Sequence, residues 1–455
     1  MTIWHRRILY IFCLLLFFIL APAVAFYAAG YEFEFSAGRP KVKRTGILII
    51  KSEPKGARVD LGDNKKYNWL YSWWYGDKAL ATPLKLRNIL PGEYNLTITK
   101  NDYFSYYKKI NLDGGQTLVL DEINLLKKSA PEVIINQPVI KTALSPDKNK
   151  LAAVTAESLN IVDLNSGLMS VIPLDIHSSP SQNFEILWAP SGKKILLTLE
   201  LWPIFNIESG NKEVELKKYA GGRAEKVEWD DFSDSYCWLL KQNSLYQFNL
   251  ANKAYSAAMP ARAWQDFLLK DGNIYALTGS SESGNEFLIY GKTEKNLIRS
   301  ISLPGARVYE FKDLPGALAY IYEPKHEMLY LTSPASIFPL QDSLNNVREL
   351  TVANDHIFYW NDFEIWDYYL PDRNKKLIVR ISQPIRQVAV TNYYNIYNTP
   401  TEVTGLERNM TDGQNIFTVL NWENTDGMTI SPDGKNLYFT SPLGRQRALW
   451  RLVIK

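Results

Sequence analysis

Cysteine is nearly missing from this chain of 455 residues. There are two, and Cys13 sits inside an apolar N-terminal run, which leaves Cys237 alone in all that follows. No intrachain disulfide can form in the soluble part, so a disulfide scaffold is excluded and cysteine is silent about redox compartment. Histidine is scarce too: His5, His177, His326 and His356 are far apart. No H-x-x-x-H or Cys–His spacing exists for zinc, so no metal is expected and each reads as a surface or packing histidine. An excess of one charge is also lacking. The formal net charge of +3 is small for this length and implies no nucleic-acid partner. Catalytic signatures are absent in turn. No P-loop or G-x-G-x-x-G follows a strand, and Gly279-Ser280-Ser281-Glu282-Ser283-Gly284 is a polar loop, not a nucleophile elbow. The pairs Asp230-Asp231 and Asp362 with Glu364 read as solvated turn acids. No catalytic, metal or cofactor-binding residue is assigned, and no cofactor is expected.

What is present starts with ordinary globular composition, 46 % apolar and 22 % charged, at a length that exceeds one core. Aromatics reach 13 %, which favours β structure. Residues 1–7 form a short basic start, and Ile8 to Ala29 carry no charge. At about 1.5 Å per residue that run crosses a hydrocarbon core of roughly 30 Å. It fits a transmembrane signal anchor, and the small residues of Ala21-Pro22-Ala23-Val24-Ala25 keep a cleaved signal peptide open, hence a secreted protein. Arg6 and Arg7 abut the run, whereas Arg39, Lys41, Lys43 and Arg44 lie beyond it. The N-terminus is expected in the cytoplasm and the bulk outside, because long domains translocate largely regardless of charge. Residues 30–44 read as a linker.

From Thr45 the pattern changes to short β-type runs separated by turn residues, over 45–127. Gly46–Lys51 is a β-branched strand closed by Ser52-Glu53-Pro54-Lys55-Gly56-Ala57, and further strands are read at Arg58–Leu61, Thr82–Leu86, Asn95–Lys100, Tyr106–Leu112 and Thr117–Leu126. Ser52, Pro54, Gly56, Ala57, Val59, Thr82, Pro83, Leu90, Pro91, Gly92, Tyr94, Lys100 and Tyr103 reproduce the pattern S-x-P-x-G-A-x-V, T-P, L-x-P-G-x-Y and K-x-x-Y. In these residues the segment resembles the PEGA domain. That resemblance implies a small β-sandwich of cell-surface and envelope proteins, without known catalysis. The signature residues read as structural: glycines and prolines for tight turns, Tyr94 packed inward.

One insertion departs from the family's compact pattern. Tyr67, Trp69, Tyr71, Trp73, Trp74 and Tyr75 crowd the stretch between Asn64 and Thr82. Large amphipathic rings suit a protein partner or a glycan, or the lipid interface; the first expectation is that they pack against the second domain or extend the sandwich core.

Over 128–455 the chain repeats at about 40 residues, the length of a propeller blade. Thr142–Asp147, Ile186–Gly192 and Met428–Gly434 are the clearest copies, each an apolar strand, a turn and a second apolar strand. Weaker copies start near Val227, Phe267, Tyr309, Leu350 and Val388. The Ser-Pro-Asp turns resemble TolB-type and WD40-like propeller repeats. Eight blades are expected, seven being the alternative. The last unit lacks a fourth strand, which Glu132–Asn136 can supply to close the ring. The fold class is therefore all-β: an N-terminal helix, a sandwich and a propeller. The expected role is a membrane-held envelope protein, not an enzyme, binding a protein or cell-wall polysaccharide through its propeller face. A polysaccharide-acting propeller enzyme and a structural part of a surface assembly are the rivals.

Overall fold

The computed structural model describes all residues except 1–2, 37–38, 63–79, 175–183, 221–223, 260–261, 263, 281–283, 306, 335, 337–339, 411–412 and 445. Helix α1, Ile3–Ala28, is apolar on every side, and large side chains from Trp4 to Leu20 are exposed. By length and composition it can cross a membrane. Ala29 N–H donates to Ala25 O at 2.9 Å and Gly30 N–H to Tyr27 O at 3.0 Å. Gly30 takes φ +79°, the left-handed ending that glycine permits. The stretch 30–44 is more than a linker. Tyr31–Ser36 pairs antiparallel with Arg39–Arg44, and Thr45 closes the excursion by donating its N–H and hydroxyl to Gly30 O at 2.7 and 2.8 Å.

The next module is a sandwich. One sheet sets Gly46–Glu53 between Leu84–Ile89 and Thr117–Asn124; the other orders Leu80–Ala81, Arg58–Asp60, Gly92–Thr99 and Tyr106–Leu112. Alternation along each strand sends Leu48, Ile50, Val59, Leu86, Leu96, Ile98 and Ile110 into one core. Tyr94 is buried among them, its hydroxyl donating to Leu90 O at 2.5 Å. The signature turns also bind each other. Ser52 and Thr82 hydroxyls are 2.6 Å apart, and Ala57 N–H donates to Thr82 Oγ1 at 3.1 Å.

Among the described residues the remainder forms eight four-stranded antiparallel sheets. In chain order blades 1 to 7 occupy 141–173, 186–215, 226–259, 264–303, 310–344, 349–380 and 387–420. Blade 8 joins Asp426–Ile430, Asn436–Leu443 and Gln446–Val453 to Glu132–Ile135. Its outer strand thus comes from the start of the module, and Arg451 clasps Glu132 at 2.6 Å. The innermost strand of blade 8 lies beside that of blade 1, so the ring is closed. The energetics explain the circle. Eight apolar clusters, one per interface, each draw side chains from two consecutive blades. A single sheet buries only one face, so no blade hides its apolar surface without both neighbours.

Repeat turns are local hydrogen-bond devices. Ser145 Oγ donates to Asp147 at 2.6 Å and accepts Lys150 N–H at 2.9 Å; Ser431, Asp433 and Asn436 repeat the same distances. These residues build the turns.

Candidate functional site

Innermost strands pair on one side only, so their free edges face the channel. Side chains satisfy part of that edge by reaching to the next blade. Trp188 Nε1–H donates to Ala143 O at 3.2 Å, and Trp229 Nε1–H, at the same repeat position, to Leu187 O at 3.0 Å. Gln387 both accepts Met428 N–H at 2.7 Å and donates to Met428 O at 3.1 Å. Where blades 1, 6, 7 and 8 meet, the strands enclose a cavity of about 650 Å³, lined by runs such as Gln387–Val390 and Asp426–Ile430. That volume suits a ligand or an inserted side-chain cluster. Trp360 borders it, 3 % exposed, and its indole N–H has no partner among the described residues.

Blades 3 to 5 carry a charged cluster instead. Lys226 Nζ lies 2.7 Å from Asp266 and 2.9 Å from Glu228, and Asp266 also accepts Phe311 N–H at 2.7 Å. Burial pushes the carboxyls of Glu228 and Asp313 up. Burial pulls Lys270 down, while its ammonium donates to Leu314 O and Leu318 O at 2.9 and 2.8 Å.

The sandwich docks against blades 7 and 8. Tyr106 hydroxyl donates to Glu407 at 2.9 Å, Tyr107 N–H to Asn415 Oδ1 at 2.8 Å, and Tyr394 hydroxyl to Asn124 O. Leu126 enters the blade 7–8 cluster. A Cβ at Gly405 would meet its Cδ1 at 2.9 Å, so glycine permits the close approach. A second cleft, of about 310 Å³, opens where the sandwich strand Thr117–Asn124 faces blades 6 and 7. In it His356 Nδ1 is 2.7 Å from Asp367 Oδ1. Arg408 lies over the Phe358 ring at 4.9 Å and donates to Thr391 O at 3.0 Å. Burial draws its guanidinium down, against the opposing pull of Asp367.

Several sequence expectations change. Tyr67, Trp69, Tyr71, Trp73, Trp74 and Tyr75 lie outside the described residues, as does His177. Asp230 and Asp231 are not solvated. Asp230 is 4 % exposed and accepts Trp238 Nε1–H at 3.1 Å, and both acids hold Lys292. Asp231 also accepts Gly272 N–H at 2.7 Å and so stitches blade 3 to blade 4. Asp362 is exposed and pairs with Arg348. Glu364 is held low by Trp366 Nε1–H and by Arg380. His326 and His356 are not isolated: each has a carboxylate neighbour, Glu323 at 2.5 Å and Asp367. The matching tryptophans at 188 and 229 were a readable signal for the inter-blade bonds. Nothing in the sequence pointed to Arg408. Among the described residues, no group of three or more His, Cys, Asp or Glu side chains is placed to hold a metal.

Residues 45–125 match the PEGA domain family. None of the curated proteins compared with the chain matches it. Among solved structures, the chain is similar to a eukaryotic initiation factor, at 14 % identity over 80 % of this chain and 93 % of that one, with a TM-score of 0.49. It is similar to Sqt1 of Saccharomyces cerevisiae, at 8 % identity over 72 % and 99 %, TM-score 0.48. The WD40 repeats of RRP9 give 9 % identity over 72 % and 100 %, TM-score 0.41. This chain therefore carries one PEGA domain, set between an apolar N-terminal helix and an eight-bladed propeller.

Proposed function

We propose that this protein is a membrane-anchored, non-catalytic binding scaffold whose propeller face receives a protein or cell-wall polysaccharide outside the membrane. The observation that carries it is the channel cavity of about 650 Å³, bordered by the buried Trp360, whose indole N–H has no acceptor among the described residues. A buried donor left unmet costs about 1–3 kcal/mol, which turning the indole toward a partner's oxygen in the cavity would recover. The rigid ring supports this role, since its sheets hold the cavity wall in place before binding. The anchor is retained, the N-terminus is cytoplasmic, and the sandwich of residues 45–127 and the propeller of 128–455 are two modules held against each other. The aromatic insertion Tyr67, Trp69, Tyr71, Trp73, Trp74 and Tyr75 is a second contact for the same partner.

Two measurements test this. Cys237 is fully buried and its thiol is pushed well up by that burial, so it stays silent to thiol reagents. A cysteine introduced at the exposed Ser209 is then expected to react with a membrane-impermeant maleimide on intact cells. Protection would place the propeller inside. A photo-crosslinking residue at Thr429 on the cavity wall is expected to trap one partner, with the yield falling in Trp360→Phe. An unchanged yield would remove the cavity as the binding site. The rival enzyme reading draws on Glu228 and Asp313, because carboxyls raised by burial suit general-acid work. Glycan turnover that Glu228→Gln abolishes would establish it.

A further inference from the structure

The cleft between the sandwich and blades 6 and 7 has the chemistry of a separate ligand site. Its position is fixed from two sides: the Tyr106–Glu407 and Tyr394–Asn124 bonds lock the modules together. Its wall is fixed as well. The His356 ring is stacked 5.8 Å from Phe358 and lies tilted 4.8 Å from Tyr369, and Asp367 holds Nδ1. The other ring nitrogen, Nε2, makes no hydrogen bond among the described residues.

The decisive group is Arg408. It is half-buried, yet among the described residues no carboxylate lies within 4.0 Å of it. Its Nη1 is spent on the carbonyls of Thr391 and Asn392 at 3.0 and 3.5 Å, which neutralise no charge. Glu407, its neighbour in sequence, turns away to Tyr106 and Asn415, and Asp367 engages His356. A half-buried guanidinium gains most from a carboxylate, which it grips through two parallel bonds. Lys376, exposed on the same rim, has no ion pair among the described residues either. The rest of the lining is mixed: Asn124 and Asn392 are polar, Ile378 and Met410 apolar, and Glu122 is an exposed carboxylate on the sandwich side. The polar groups among them accept from and donate to hydroxyls. A cleft of about 310 Å³ is at the small end of ligand pockets and takes about one ring-sized group.

We infer that this cleft binds an acidic sugar residue of an envelope polysaccharide, its carboxylate on Arg408 and Lys376 and its hydroxyls on His356, Asn392 and Glu122. This deepens the polysaccharide branch of the proposed function and rests on it, but it uses a different site from the channel. Calorimetry on the full chain in detergent micelles tests it with three probes: trigalacturonate, the neutral maltotriose and the acidic peptide triglutamate. Binding of trigalacturonate alone is expected. Arg408→Gln should weaken it about tenfold or more, as loss of a charge-assisted bond implies. Arg408 also braces a loop, so Lys376→Glu, on the exposed rim, serves as the variant that leaves folding intact; it should weaken binding severalfold. Trp360→Phe should leave this affinity unchanged while altering crosslinking in the channel, which separates failure of this site from failure of the scaffold reading. Equal binding of maltotriose, equal binding of triglutamate, no binding of trigalacturonate, or indifference to Lys376→Glu would each overturn the inference.

Discussion

Replacing Tyr106 by Phe removes one hydroxyl from the junction of the two modules. Tyr106 is 2 % exposed and Glu407 7 %, so the bond between them at 2.9 Å is formed away from water. Glu407 keeps two other donors, Asn415 Nδ2–H at 2.7 Å and Asn415 N–H at 3.3 Å, and is not stripped bare. A hydrogen bond to a charged acceptor contributes about 1.5–3 kcal/mol, and the surviving donors place the loss near about 1.5–2 kcal/mol. Glu407→Gln weakens the same acceptor. A double-mutant cycle in chemical denaturation should return a coupling of at least about 1 kcal/mol. Sandwich and propeller should also unfold together, because Leu126 lies in the blade 7–8 core. A coupling near zero, or separate unfolding of the two modules in the unmodified chain, would refute a shared, locked interface.

Alkaline pH should destabilise the protein sharply. Burial pushes the phenols of Tyr275, Tyr309, Tyr322 and Tyr359 up to about 12, and those of Tyr106, Tyr368 and Tyr394 higher still. Above pH ~10 the unfolded chain loses these protons while the folded chain keeps them. Stability is therefore full below that pH and falls beyond it, by up to about 1.4 kcal/mol per pH unit for each group; tyrosinate absorbance and circular dichroism should change together. Asn395 is fully buried with both amide atoms unpaired among the described residues, so Asn395→Leu should raise stability by about 1–3 kcal/mol; a fall in the unfolding midpoint would show that the amide is satisfied. Ile135, 4 % exposed in the closing strand, should cost about 2–5 kcal/mol when cut to Ala, with proteolysis beginning near that strand. Resistance equal to the unmodified protein would mean that the ring does not depend on its closure.

Local chemistry made much of the architecture readable. Ser145-Pro146-Asp147 and Ser431-Pro432-Asp433 form the same turn because the hydrogen bonds that build it lie within five residues. Strand alternation put Leu48, Ile50 and Val59 into the sandwich core for the same reason. The missing fourth strand of blade 8 could be anticipated by counting, and Glu132–Ile135 fills it. The hairpin in 30–44 was only half visible: Tyr31–Ser36 alternates aromatic and polar residues, but its partner Arg39–Arg44 is basic with Val42 and Pro40 as its only apolar residues and lacks the alternation that marks a half-buried sheet.

The sequence by itself determined the periodic parts: an apolar helix of membrane length, a sandwich with its signature turns, and repeats that must close into a ring. Each follows from interactions between residues near in the chain, or from the need of identical units to cover one another. Only tertiary structure decided what the acids and cations do. Asp230 and Asp231 became a clasp on Lys292 from the next blade, and Arg408 came to line one cleft with Asp367 and the sandwich's Glu122. Charge has no period, and its partners lie tens to hundreds of residues away, so its role exists only once the ring and sandwich have brought distant side chains together.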